Sequence, residues 1–186
     1  MRSFANEMYV GVEINPPCPH SVVHAFDLDD TLTCKPTGFD NTGMTKDEFF
    51  DASRDFEPDV AVKDVVELMH MHGDCIAITT ARPPERLAET VHWLSKHDIP
   101  FDQVILSQGT VASSIAKQAM LQKLQDDYHE VGVLFDDSPY NVEGARLQGI
   151  SAIHLRKNDE YWAANPEDVY RYEDEQAREE ASQALC

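Results

Sequence analysis

The chain has 186 residues, 42% hydrophobic and 26% charged, a composition that suits one folded domain rather than a disordered polymer. Its 34 acidic residues against 15 Lys and Arg give a formal charge of -19, which argues against a protein that coats nucleic acid by general attraction. Residues 1–7 lack the continuous apolar run of a secretion signal, and no stretch reaches the ~20 apolar residues that span a bilayer. A soluble, cytoplasmic protein with no membrane partner is therefore expected.

Cys18, Cys34, Cys75 and Cys186 are scattered without CxxC spacing, so free thiols are expected rather than a zinc knuckle or a disulfide framework. In chain order, residues 1–21 read as an N-terminal extension. Short apolar runs then follow at 22–26, 75–79, 104–106, 131–135 and 152–155, as expected of strands buried on both faces of a parallel sheet. Helical patterns separate them at 61–71, 84–96, 113–127 and 141–148, two of them closed by Gly73 and Gly149. This alternation predicts a doubly wound α/β domain over residues 22–155.

Two segments stand outside the alternation. Residues 33–59 carry Pro36, Gly38, Gly43 and Pro58 around a short helical pattern at 46–54, which predicts a small flap, or minimal cap, after the first strand. Residues 156–186 turn polar, and 166–186 hold seven acidic residues and two arginines, an acidic C-terminal tail.

The polar motifs fall at the carboxyl ends of the apolar runs, where ligands bind in open parallel sheets. Asp27 and Asp29 follow the first run, Thr79 and Thr80 the second, and Asp136 and Asp137 the fourth. Carboxylates crowded this closely repel unless a cation neutralises them, and oxygen donors of this kind favour a hard divalent ion such as Mg2+. In Asp27-Leu28-Asp29, alternate residues leaving a strand face one pocket while Leu28 turns to the core. That spacing suits Asp27 as a nucleophile toward phosphorus and Asp29 as proton donor and acceptor. Thr80 precedes a helix start marked by Pro83 and Pro84, where a hydroxyl and backbone amides can hold a phosphoryl oxygen; Arg82 is a candidate substrate clamp. Lys117, near the start of a helix, is a candidate to balance the site's negative charge, with Lys123 as the alternative.

Asp27-Leu28-Asp29-Asp30-Thr31, the Thr after the second strand, the downstream Lys and Asp136-Asp137 together resemble the haloacid dehalogenase-like (HAD) phosphatase superfamily, over roughly residues 22–155. The resemblance implies a Rossmann-like, mostly parallel core, Mg2+ and an aspartyl-phosphate intermediate. It also implies roles: Asp27 as nucleophile and metal ligand, Asp29 as acid/base and ligand through its carbonyl, Thr80 and Lys117 as phosphoryl holders. Asp136 would bind the metal directly and Asp137 through water, while Thr79 and Lys123 remain alternates.

A narrower likeness lies in Phe49-Phe50-Asp51-Ala52-Ser53 with Glu57-Pro58, in Thr80-Ala81-Arg82-Pro83 and in Thr90-Val91-His92-Trp93-Leu94. These resemble the phosphatase domains of phage-type polynucleotide kinases, which implies phosphorylated nucleotide or nucleic-acid 3' ends as substrates. No GxxxxGK[ST] phosphate loop is present, so no kinase half is expected, and Leu106-Ser107-Gln108-Gly109 replaces an arginine-bearing segment of that subgroup. Small-molecule or 5'-nucleotide hydrolysis and a non-catalytic binding module are the competing readings. Nothing in the sequence bears on oligomeric state.

Overall fold

A computed structural model of the protein describes residues 8–13 and 21–155. The acidic tail expected at 156–186 and most of the N-terminal extension lie outside the described residues.

The apolar runs become strands of one six-stranded sheet, and the helical patterns become the helices that cover it. In chain order the strands are β1 (Tyr9–Glu13), β2 (Val22–Asp27), β3 (Thr33–Cys34), β4 (Glu57–Pro58), β5 (Cys75–Thr80), β6 (Gln103–Ser107), β7 (Glu130–Asp136) and β8 (Ser151–His154). The helices are α1 (Lys46–Ser53), α2 (Val60–Met71), α3 (Leu87–Lys96), α4 (Ser113–Asp127) and α5 (Pro139–Leu147). The sheet runs β1-β6-β5-β2-β7-β8. From β6 to β8 every pairing is parallel, and β1 closes the edge antiparallel to β6. This is a Rossmann-like doubly wound fold.

Strand alternation builds two cores. Val23, Ala25, Ala77 and Ile105 face α4 and α5, packing on Met120, Leu121, Leu124 and Ala145. Phe26, Ile76, Ile78, Val104 and Leu106 face the other way, onto Val66 of α2 and Trp93 and Leu94 of α3. With helices on both faces, no central strand exposes an apolar face to water.

The register between β2 and β7 slips by one residue between Val23 and Ala25, where β7 carries Gly132. A Cβ at Gly132 would sit 2.5 Å from the His24 ring. Any side chain at this position would have to displace the His24 ring and the Val22 side chain.

Topology sets the position of the site. From β2 the chain winds through β5 to β6 on one side, then α4 carries it back across to β7 and β8 on the other. The winding direction therefore reverses between β2 and β7, and the carboxyl ends of these two strands are where a doubly wound sheet places its ligand site.

Within residues 33–59, the segment expected as a flap, β3 and β4 form a second, two-stranded sheet with α1 between them in sequence. Thr45 starts α1 with a capping box: its hydroxyl accepts from the Glu48 amide, and the Glu48 carboxylate accepts from the Thr45 amide. No helix among the described residues is long and apolar enough to cross a membrane.

Candidate active site

Asp27 is the last residue of β2 and Asp136 the last of β7. Just below them Phe26 and Phe135 stack in parallel, ring centroids 4.6 Å apart, which fixes the spacing of the two strand ends. Asp27, Asp136 and Asp137 each offer a carboxylate oxygen, and the three oxygens lie within 4.8 Å of one another.

Lys117 reaches this cluster from α4, the helix that makes the crossover. Its ammonium donates to Asp27 Oδ1 at 2.7 Å and to the Thr79 carbonyl at 2.6 Å, and lies 3.1 Å from Thr79 Oγ1 and 3.2 Å from Asp136 Oδ2. Only 2% of the residue is exposed, so its three N–H donors are spent inside the protein. Asp27 and Thr79 are register partners on β2 and β5, which is why one lysine touches both. Lys123, two turns further along α4, pairs instead with Asp127 and Glu13 beside the edge strand.

The electrostatics are unbalanced. Burial, against the pull of Lys117 and with the repulsion of Asp136, pushes the Asp27 carboxyl up to about 7. Burial, with Asp27 and Asp136 adding to it, holds Asp137 well above the ordinary carboxyl range. Burial works against the Lys117 ammonium too, but Asp27 and Asp136 outweigh it and keep the lysine above its usual value. Three carboxylates facing one ammonium leave an excess of two negative charges when all are ionised. A divalent cation cancels that excess, and three carboxylate oxygens are donors suited to a hard ion such as Mg2+. The residues present therefore fit the group.

Asp136 is oriented by Asn141, whose amide donates to Oδ1 at 3.0 Å and lies 3.1 Å from Oδ2, and by the Ser138 amide at 2.9 Å. Asn141 sits in the first turn of α5, where Ser138 caps the helix. A ring nitrogen of His154, at the end of β8, lies 2.8 Å from the Asp137 carbonyl. Neither residue emerges as a site candidate from the sequence. The signal for Asn141 is its place just past the Ser-Pro helix start that follows the two aspartates.

The turn after β2 is tight. Asp30 adopts φ 63°, an uncommon value for a residue with a side chain, and is held by a 3.0 Å bond from its amide to Thr33 Oγ1 and by a 2.6 Å pair with Lys35. This turn presents Asp29 beside Asp27, where Arg82 grips it: Nε lies 2.8 Å from one carboxylate oxygen and Nη2 2.7 Å from the other. Arg82 is fully buried, and it also donates to Ser53 Oγ of α1 at 2.7 Å and to Thr90 Oγ1 of α3 at 3.4 Å. Thr80 ends β5, and its hydroxyl accepts from the Arg82 amide at 3.2 Å. The structure thus brings Asp27, Thr79, Lys117, Asp136 and Asp137 into one cluster with Asp29 and Arg82 beside it, and leaves Lys123 apart.

Fold and site define a doubly wound α/β domain with a largely buried tri-aspartate cluster at the switch point. No protein-family model and no curated protein matches the chain. Solved structures do. A chain in the structure of the Pnkp1/Rnl/Hen1 RNA repair complex aligns at 18% identity and a TM-score of 0.62, over 77% of this chain and 45% of that one. A second structure of that complex aligns at 20% identity and a TM-score of 0.58, over 78% and 48%. The class C acid phosphatase from Bacillus anthracis aligns at 17% identity and a TM-score of 0.54, over 76% and 66%. This chain spans less than half the length of the repair-complex chains it matches. At such identities the likeness is one of fold.

Proposed function

We propose that this chain is a Mg2+-dependent phosphomonoester hydrolase that works through an aspartyl-phosphate on Asp27, with nucleotide or polynucleotide 3'-phosphate ends as its substrates. The observation that carries this reading is a buried carboxylate at a strand end, 2.7 Å from a buried lysine and clustered with two further aspartates. The likeness in fold to the RNA repair complex and to an acid phosphatase supports the phosphate chemistry, and the first supports the nucleic-acid side.

In this reading an Asp27 oxygen attacks phosphorus and the ester P–O bond breaks, the leaving oxygen taking a proton from Asp29. Water then attacks the phosphorus of the aspartyl-phosphate, gives its proton to Asp29, and the bond to Asp27 breaks to release inorganic phosphate. Arg82 occupies one site on each Asp29 oxygen, so each keeps a second position at which a proton can sit. Lys117 holds Asp27 in place and its positive charge stabilises the phosphoryl oxygens through space, with the Thr80 hydroxyl as a hydrogen-bond donor. Mg2+ held by Asp27, Asp136 and Asp137 would supply charge neutralisation for nucleophile and phosphate together.

The test is phosphate release from 3'- and 5'-phosphorylated nucleotides and oligonucleotides. Asp27→Asn is expected to lose turnover by at least about 10³-fold with the fold retained, and chelation of divalent ions to stop the wild type until Mg2+ is restored. Wild-type turnover by Asp27→Asn, or turnover indifferent to chelation, would refute the proposal.

A further inference from the structure

On the same carboxyl edge of the sheet as the Asp27, Asp136 and Asp137 cluster, past the ends of β5 and β6, lies a cleft of about 470 Å³ that none of those three residues line. It reaches Ala81, the residue after Thr80, and runs between α1 and the connection from β6 to α4. Phe50, Pro83 and Val111 give it apolar walls, Ser113 brings a hydroxyl at the start of α4, and Asp47, paired with Arg86, brings one carboxylate. The Phe50 ring is braced by the Arg82 guanidinium, 5.7 Å from its centroid. Apolar walls with a few polar groups, in a space of this size, are the usual make-up of a site for a small ring-bearing molecule.

Lys46 stands at the lip. It lines both this cleft and a smaller one, of about 230 Å³, that reaches Asp30 and Phe49. The other cations around the flap are all committed: Lys35 to Asp30, Arg54 to Asp51, Arg82 to Asp29, Arg86 to Asp51 and Lys117 to Asp27. Lys46 is exposed and makes no ion pair among the described residues. In a chain of net charge -19, an uncommitted ammonium on the ridge between two clefts is a local attraction for an anion.

Resting on the hydrolase reading, we infer that the larger cleft receives the nucleoside part of the substrate and that Lys46 binds a second phosphate on it. The substrate class is then a nucleotide carrying a phosphate besides the scissile one. Its source is either a free nucleoside bisphosphate or the phosphodiester that precedes the end of an oligonucleotide.

The experiment compares kcat/KM for adenosine 3'-monophosphate, adenosine 3',5'-bisphosphate and a 3'-phosphorylated dinucleotide, with p-nitrophenyl phosphate reporting the chemistry without a nucleoside. The wild type is expected to prefer a doubly phosphorylated substrate over the monophosphate by about tenfold, the yield of one charge-assisted contact. In Lys46→Ala that ratio is expected to fall to near one. Val111→Trp, which fills the cleft, is expected to raise KM for the nucleotides relative to p-nitrophenyl phosphate. Gain with the bisphosphate alone points to a free nucleotide, and gain with the dinucleotide to a polymer end. Equal wild-type values for mono- and bisphosphate, or a ratio that Lys46→Ala leaves in place, overturns the inference. Release from p-nitrophenyl phosphate without any nucleotide preference removes this inference alone, whereas a wild type inert toward every substrate removes the hydrolase reading and this inference with it.

Discussion

Asp27 carries an electrostatic cost in the site, and that cost has a measurable consequence in the metal-free protein. Its pKa is raised, by burial first, from the ordinary 3.8 to about 7. Between those values the unfolded chain has released the proton while the folded chain still holds it. The folded state thus binds more protons, so its stability falls as pH rises from about 4 to about 7 and then levels off. Asp27→Asn removes the titration, and Lys117 keeps Asp136 and Thr79 as partners. Without divalent ions, the variant is expected to melt roughly 5 °C above wild type at pH 7, with the gain gone near pH 4. Equal melting curves at pH 7 would show that the carboxylates are not strained against one another. Arg82 supports a second expectation at this scale. Lysine cannot reproduce a fork that meets both Asp29 oxygens while also serving Ser53. Arg82→Lys is expected to lower kcat by roughly 10²-fold and to cost roughly 2 kcal/mol of stability, read by single-turnover kinetics and thermal melting.

At the scale of elements, the flap is tied down rather than hinged. The Trp93 indole of α3 donates to the Phe56 carbonyl at 2.9 Å, Arg86 pairs with Asp51 at 2.5 Å, and Arg82 holds Ser53. Phe56 packs edge-on to Phe39 and Phe49 beneath α1. Trp93→Phe keeps an aromatic ring in the core but leaves the Phe56 carbonyl unmet, at a cost of about 1–2 kcal/mol. Faster amide exchange confined to residues 46–56, with the strands of the main sheet unchanged, is the expected signature; uniform acceleration would mean that the flap and core open together. The elements also show what the sequence could disclose. Strands buried on both faces, such as β2 and β5, are mostly apolar runs and stand out. Strand β1 does not: Tyr9-Val10-Gly11-Val12-Glu13 lies at an edge, and it acquires its meaning only by pairing with β6 about ninety residues later. Strands β3 and β4 are two residues each, too short for any period. The aspartates were legible because strand ends in such a sheet converge wherever the strands themselves are recognised. The Arg82–Asp29 fork and the Asn141–Asp136 pair were not, since side-chain direction at the end of a turn depends on packing that spacing does not encode.

For the whole molecule the governing quantity is charge. With 34 acidic residues against 15 Lys and Arg, the protein repels any polyanion at distances beyond its own local contacts. The cations of the carboxylate cluster offset little of this, because Lys117 and Arg82 are buried against Asp27 and Asp29, which leaves the exposed Lys46 at the cleft as a local attraction. On the proposed hydrolase reading, a phosphorylated end approaches against the protein's field and is captured by short-range contacts. Added monovalent salt screens the approach, over about 10 Å at 0.1 M, while leaving the buried contacts largely unscreened. At fixed Mg2+, KM for a 3'-phosphorylated oligonucleotide is thus expected to fall as monovalent salt rises from about 20 to 150 mM, and KM for a mononucleotide to change less. This is the reverse of the trend for proteins that hold nucleic acid through phosphate contacts and counterion release. A KM for the oligonucleotide that climbs steeply with salt would reveal a basic track along which the polymer is gripped. The substrate would then be recognised along its length, whereas the inferred use of the cleft and of Lys46 predicts recognition of the last nucleotide and the phosphate next to it.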